Sequence, residues 1–364
     1  MQDLLELPNN PSLFSLACEV SKGKFAPHIK KQEAFSVLDT CENPFRKNIV
    51  TCKDNNIDEF LNEAQGLELD TILDSCVNDL PYYIPVFDRN IELVQNLPKN
   101  FPVVALSLKD IITSGITYKA GCLHEEKSIG MRRTILQAHC FKGKKVLLFA
   151  SGPDTLIESI WYKRDEYDFF AKISKMGFYA ATGFNFSLII GECPFAQALN
   201  MKRSLISASL FEQTGTLTIP HIYALTKYQV AKWCVWLNKN QNIKYFTINC
   251  QLQNSWKDIT HVIQAIRSIF NSVSNIHVIL HGFPINRIKD FNEDIIRVHF
   301  ADMLPLKKAR NYRRMIFKKD DEKIRFVKDD KVSIAELITD NFNEKLAMLN
   351  YIKQQNIEKF KIIP

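Results

Sequence analysis

Two histidines, a set of aspartates and several side-chain amides recur in this sequence at one kind of place, directly after a short apolar run. Asp88 closes YYIPVFD, Asp110 follows FPVVALSL, Asp154 ends SGPD and Asn185 lies in GFNFS. His221 closes TIPH, Asn249 and Gln251 close INCQ, His281 opens HGFP and Asp302 sits in FADMLP. Imidazoles beside carboxylates suit general acid–base work, with His281 or His221 moving the proton and Asp154 or Asp302 orienting the ring. The same residue types are also the ligand set of a catalytic divalent metal ion such as zinc. The His-x-His that metal-dependent barrel hydrolases carry on their first strand is missing here. The amides Asn185, Asn249 and Gln251 can pair with the edges of purines, pyrimidines or sugars. The combination favours a nucleotide-like or sugar-like ligand over an acyl substrate.

Each residue also has a purely structural reading. Ser151 or Asp154 would cap the helix that TLIES begins, Asp302 would cap the one after it, and His221 would be a core histidine. His281 is the stronger functional candidate, because Gly282 behind it lets backbone pass closely. The sequence has no G-x-S-x-G, no G-x-x-x-x-G-K-[ST] and no G-x-G-x-x-G, which argues against a serine hydrolase, a P-loop NTPase and an ordinary dinucleotide enzyme.

The elements that would position these side chains follow from the pattern. Eight apolar or β-branched runs recur from residue 82 onward: YYIPVFD, FPVVALSLKD, KKVLLFASGPD, MGFYAATGFNFS, GTLTIPHIYA, IKYFTINCQ, IHVILHGFP and IIRVHFADMLP. Near-continuous apolar runs suit parallel strands buried on both faces. Amphipathic stretches lie between them: TLIESIWYKRDEYDFFAKISKMG, FAQALNMKRSLISASLFEQ, TKYQVAKWCVWLNKN behind Thr226, and SWKDITHVIQAIRSIFNSV behind Ser255. In the last of these Ile259, Ile263, Ile266 and Phe270 share one face. The expected fold is therefore α/β, a (β/α)8 TIM-like barrel of residues 81–320, with ligands at the carboxyl ends of its strands. A doubly wound open sheet is the alternative. Pro85 weakens the first strand, which could be an edge or an extended loop. The stretch between runs two and three holds no clean amphipathic helix, so some distortion is expected. Residues 1–80 read as an N-terminal appendage of helices and loops, with a helix in NNIDEFLNEA. Residues 321–364 read as a C-terminal strand and helix packed outside the barrel.

Behind the fourth run, Gln197, Asn200 and Arg203 repeat at helical spacing on one face. Arg203 could anchor an anion bound above the strand, with Asn185, Gln197 and Asn200 beside it. The alternative is a buried polar network that locks the helix to the barrel. This block, with Phe186, Ser187, Leu188 and Pro194 ahead of it, resembles that of a prokaryotic and phage family, a domain of unknown function. Gly152, Asp154 and Trp161 upstream and GTLTIPHIY downstream are also similar, so the likeness spans about residues 146–285. The chain departs from the family at Asn185, where an aspartate is usual, and at His221, where another polar residue is frequent. The resemblance implies an α/β barrel-like body and an origin near phages, mobile elements or antiviral defence. It supplies no activity.

Composition sets the remaining limits. The nine cysteines form no C-x-x-C pair, which points to free thiols in a reducing compartment rather than a zinc cluster or a disulfide framework. No apolar run approaches the roughly 20 residues of a membrane span, and the first residues lack a signal-peptide pattern, so a soluble cytoplasmic protein is expected. The net charge of +7 is uneven. Lys307, Lys308, Arg310, Arg313, Arg314, Lys318 and Lys319 fall in a stretch without acids, either a solvated face or an edge that holds a nucleic-acid backbone. Two functions stay open: an enzyme acting on a nucleotide or nucleic acid by hydrolysis or glycosyl transfer, and a non-catalytic scaffold. The scaffold would bind nucleic acid, or a protein partner through residues 1–80 or the C-terminal helix.

Overall fold

The computed structural model describes residues 57–90, 100–112, 118–119, 122–123, 131–132, 135–188, 194–253, 255–320 and 323–361. Residues 1–56, most of the expected appendage, lie outside the described residues.

Every one of the eight apolar runs carries a strand. These are β1 (Tyr83–Phe87), β2 (Val103–Ser107), β3 (Lys145–Phe149), β4 (Ala180–Thr182), β5 (Leu217–Ile219), β6 (Tyr245–Asn249), β7 (His277–His281) and β8 (Val298–Asp302). All pair in parallel, in the order β5-β4-β3-β2-β1-β8-β7-β6. The two ends of that row meet, since Ile222 N donates to Thr247 O and Thr247 N donates to Pro220 O, each at 2.9 Å. The sheet is thus one nearly closed barrel with helices around it, a distorted (β/α)8 barrel and not an open sheet. Sequential strand order around a closed barrel is the outcome when each helix returns the chain to the neighbouring position.

Pro85 does not mark an edge. β1 lies between β2 and β8 and all five of its residues are buried. Tyr83, Ile84 and Pro85 register with β8, whereas Val86 and Phe87 register with β2. The proline sits where the ladder passes from one neighbour to the other, so its missing N–H interrupts little.

The helices are α1 (Ile57–Ala64), α2 (Leu108–Ile111), α3 (Asp154–Tyr162), α4 (Phe169–Ser174), α5 (Pro194–Gln213), α6 (Lys227–Lys239), α7 (Trp256–Ser272), α8 (Leu304–Arg310) and α9 (Ile334–Lys361). Thr226 caps α6 by accepting from Gln229 N at 3.2 Å, and Ser255 caps α7 by accepting from Asp258 N at 3.1 Å. The expected apolar face of α7 is buried. The long helix expected over 155–177 is broken instead, because Asp168 adopts a left-handed conformation (φ 47°, ψ 45°) between α3 and α4.

Two additions close the barrel. Residues 67–80 run beneath its amino end, where Trp236 Nε1 donates to Thr71 O (2.8 Å), Thr218 N to Ser75 Oγ (3.0 Å) and Leu80 N to Tyr245 Oη (3.3 Å). This part of the expected appendage belongs to the barrel body. On the outside, α9 lays Phe342 against Phe87, Phe101 and Tyr83, with ring centroids 5.2, 6.0 and 6.3 Å away. The antiparallel hairpin β9 (Arg313–Lys318) and β10 (Lys323–Lys328) packs on α9 through Phe317 and Tyr351, and so straddles the boundary expected after residue 320. No helix among the described residues is long and apolar enough to cross a membrane. Cys76, Cys140, Cys234 and Cys250 are free thiols.

The amino end of the barrel interior is polar. His277 Nδ1 lies 3.2 Å from His299 Nε2, and His299 Nδ1 donates to Pro81 O at 2.9 Å. Burial pushes His299 down to about 4 and lowers His277.

Candidate functional site

At the opposite, carboxyl end, paired residues of neighbouring strands point the same way, so register identifies the inward set. Ser107 pairs with Phe149, and Asn249 pairs with His281. β3 and β7 lie on opposite sides of the barrel, yet the Phe149 and His281 rings stack with centroids 4.5 Å apart at 16°. They can meet only through the interior. Ser107, Phe149, Asn249 and His281 therefore form the top layer under the mouth.

His281 is held from a second side. Gln251 Nε2 lies 3.1 Å from its Nε2. The amide N–H donates to that nitrogen, leaving the ring proton on Nδ1. Gly282 permits the contact: its φ is +76°, and a Cβ there would stand 2.6 Å from Gln251 Cγ and 3.3 Å from Gln251 Cα. Nδ1 is buried and has no hydrogen-bond partner among the described residues. Burial, then the charges of Lys109 and Lys307, push His281 down to about 3. Its neighbour His221 accepts from Asn249 N at 3.2 Å through Nε2, and burial, then His281, push it to about 3 as well. Both imidazoles are neutral at physiological pH. Neither can serve there as an imidazolium acid, and His281 instead presents a neutral Nδ1–H donor.

Two aspartates stand at adjacent strand ends. Asp88, after β1, receives two hydrogen bonds from the Arg310 guanidinium, one of them at 2.6 Å, and one from Asn90 N at 3.0 Å. Burial would raise its pKa, but Arg310 and Asn90 outweigh that and hold it below the usual carboxylate range. Asp110 in α2 is only 6% exposed, and its Oδ2 has no hydrogen-bond partner among the described residues. Burial first, and the Asp88 charge, push it up to about 6 against the opposing charge of Lys109.

The other expected site residues lie elsewhere. Asp302 registers with Pro85, on the face opposite Ala301, which registers with His281. It points outward: Oδ2 pairs with Lys345 of α9 at 3.0 Å, and Oδ1 accepts from Leu304 N at 2.9 Å. It fastens α8 and α9 and does not enter the mouth. Asp154 is the first helical residue of α3, and the cap position is Pro153, so the capping expectation fails. Its Oδ1 accepts from Ser187 Oγ at 2.6 Å.

That bond belongs to a network around α5. Ser187 O accepts from Asn200 Nδ2 (2.8 Å), and Asn200 Oδ1 accepts from Arg203 Nη1 (3.1 Å). Arg203 forms a two-pronged pair with Glu158 of α3 at 2.5 and 3.2 Å, with its guanidinium 4.1 Å over the Phe186 ring. Gln197 Oε1 accepts from Gln229 of α6 at 2.7 Å. The spacing of Gln197, Asn200 and Arg203 thus joins α5 to α3, α6 and the end of β4. The Arg203 charge is committed to Glu158, and the anion-anchor expectation gives way to the network. Asn185 is partly exposed at the end of β4, with its N–H donating to Ala150 O at 3.3 Å.

The basic stretch is partly neutralised by acids distant in sequence. Arg310 pairs with Asp88, and Arg314 pairs with Asp329 (2.8 Å) and with Asp340. Lys308 lies 4.3 Å over the Phe326 ring. Lys307, Arg313, Lys318 and Lys319 are exposed.

Among the described residues no group of three or more His, Cys, Asp or Glu side chains is placed to hold a metal ion, so the divalent-ion expectation finds no ligand set there. No protein-family model matches the chain, and no curated protein matches it by sequence.

Proposed function

We propose that the protein is an enzyme acting on a nucleotide or nucleic acid, by hydrolysis or glycosyl transfer, at the carboxyl-end mouth of its barrel. The observation that carries this reading is His281, a neutral imidazole whose buried Nδ1–H lacks a partner among the described residues while Lys109 and Lys307 act on it from the rim. A buried donor left unsatisfied is uncommon in a folded protein and suits an oxygen that arrives with a ligand. Positive charge at the rim favours a phosphate-bearing ligand. Of the two amides, Gln251 Nε2 is engaged by His281 and Asn249 Oδ1 by Gln251 N, so Gln251 Oε1 and Asn249 Nδ2 are the groups that would meet a base or sugar. The setting among phages, mobile elements or antiviral defence rests on the resemblance of residues 146–285.

A second reading has two observations in its favour. Gln197, Asn200 and Arg203 are engaged in packing α5, and His281 is 1% exposed, as a non-catalytic scaffold would also allow. A thermal-shift panel of nucleotides and oligonucleotides separates the two. The enzyme reading expects a phosphate-bearing ligand to stabilise the wild type, and turnover to be lost in His281→Phe, which keeps the ring stack but removes the donor. Stabilisation without turnover of any panel member, equal in the variant, would leave the scaffold.

A further inference from the structure

We infer that Asp110 is the proton donor of this mouth, with the Asp88–Arg310 pair as its charged neighbour, and that the bond it helps to break is a phosphodiester. The inference rests on the enzyme reading above, in its hydrolytic form. Ser107 is the residue before α2 and Asp110 lies three positions on, which puts both side chains on one side of that turn. That side faces the barrel axis, because Ser107 registers with Phe149, whose ring stacks on His281. Three buried polar atoms without a hydrogen-bond partner among the described residues belong to residues at or just after the carboxyl ends of β2 and β7: Ser107 Oγ, Asp110 Oδ2 and His281 Nδ1. The carboxyl ends of the strands are where α/β barrels bind ligands, and a bound ligand would satisfy these atoms.

The charged groups facing Asp110 are Lys109 from its own helix and Asp88 and Arg89 from the end of β1, with Arg310 of α8 reaching it through Asp88. Their sum, with burial, separates two neighbouring carboxyls. Asp88 stays ionised, and Asp110 holds a proton into the range where enzymes work. Carboxyl pairs split in this way divide acid from base. In the step proposed, Asp110 gives its proton to the leaving oxygen as the P–O bond breaks and that oxygen keeps the bonding pair. A water oxygen forms the new P–O bond and releases a proton to solvent, from which Asp110 is reprotonated. One water is added across one ester bond. His281 hydrogen-bonds a phosphoryl oxygen and exchanges no proton.

The test uses the full chain and two probes, a dinucleoside phosphate and bis(p-nitrophenyl) phosphate. An alkoxide needs a proton to leave, whereas p-nitrophenolate does not. Asp110→Asn is expected to lose ~100-fold in kcat on the dinucleoside phosphate, the usual scale for a missing acid, and little on the nitrophenyl ester. Carboxyl carbon NMR of protein labelled at the aspartate carboxyl should show one group titrating near 6 that vanishes in Asp110→Asn and moves down in Asp88→Asn. Equal losses on both probes would assign Asp110 a structural role and overturn the inference. So would undiminished activity, or a carboxyl near 6 that survives Asp110→Asn. A wild type that cleaves neither probe overturns the inference together with its hydrolytic premise, whereas cleavage indifferent to Asp110 overturns the inference alone.

Discussion

If Asp110 is an acid kept buried for its proton, replacing it should stabilise the fold, and only where the carboxyl would ionise. Burial and the Asp88 charge raise it from 3.8 to about 6, a difference of about 2.2. At roughly 1.36 kcal/mol per pH unit this is ~3 kcal/mol. The native state holds the proton more tightly than the unfolded chain does. The stability associated with the protonated carboxyl is therefore complete below the unfolded value and is lost as pH rises through about 6. The neutral amide introduced by Asp110→Asn does not ionise in this range. The stability gap between Asp110→Asn and wild type should be a few tenths of a kcal/mol at pH 4, about half its maximum at pH 5, and ~3 kcal/mol above pH 7. For 364 residues, an unfolding entropy of about 2.1 cal/mol/K per residue turns that maximum into ~4 °C of Tm. Thermal unfolding of both proteins at half-unit steps from pH 4 to pH 8 measures it. Curves that stay parallel across this range refute the argument. A variant less stable at every pH would show instead that the ionised carboxylate supports the fold.

Three further outcomes follow from the same structure. Arg203→Ala leaves Glu158 buried without its partner and should cost about 3–5 kcal/mol in urea unfolding, with ligand affinity per folded molecule unchanged; weaker binding at unaltered stability would restore Arg203 as an anion anchor. Gly282→Ala forces a positive φ on a residue with a Cβ and drives that Cβ into Gln251, so a loss of at least ~1–2 kcal/mol is expected; an unchanged Tm would mean that β6 and β7 do not approach so closely. His299 is held neutral at about 4 against an unfolded value near 6.5, so stability present above 6.5 should fall by ~3 kcal/mol as pH drops towards 4. His299→Gln should flatten that part of the profile, and an equally steep slope in the variant would assign the acid sensitivity to other groups.

The barrel was legible because its signal is local. Each strand is buried on both faces, so each announces itself as an apolar run, and Thr226 and Ser255 mark helix starts by short-range bonds. What failed depended on distant partners. Pro85 looks like an edge residue until the ladder is known to change neighbours at that point. Arg203 looks like a ligand anchor until Glu158, 45 residues earlier, is brought beneath it. Asp302 ends its strand as a catalytic residue would, but alternation along β8 turns it outward to Lys345. Only one residue of parity separates it from the barrel interior, and the run IIRVHFADMLP does not reveal which face is inside. Phe149 carried no signal at all, since the last aromatic of a buried strand reads as core.

The histidines and Asp110 are linked by one physical effect. Burial opposes charge of either sign, so it strips the proton from His221 and His281 and retains it on Asp110. Up to about pH 6 the inner layer of the mouth is then neutral, and above it only Asp110 among these three groups ionises, while Lys109, Arg89 and Lys307 stand as positive charges at its rim. Below that pH such an interior is a poor host for a cation, which needs ionised ligands. It suits the proposed phosphodiester better. An anion entering over the lysines meets neutral donors, and its own charge raises the pKa of Asp110 further. Binding itself would thus secure the proton that the leaving group requires.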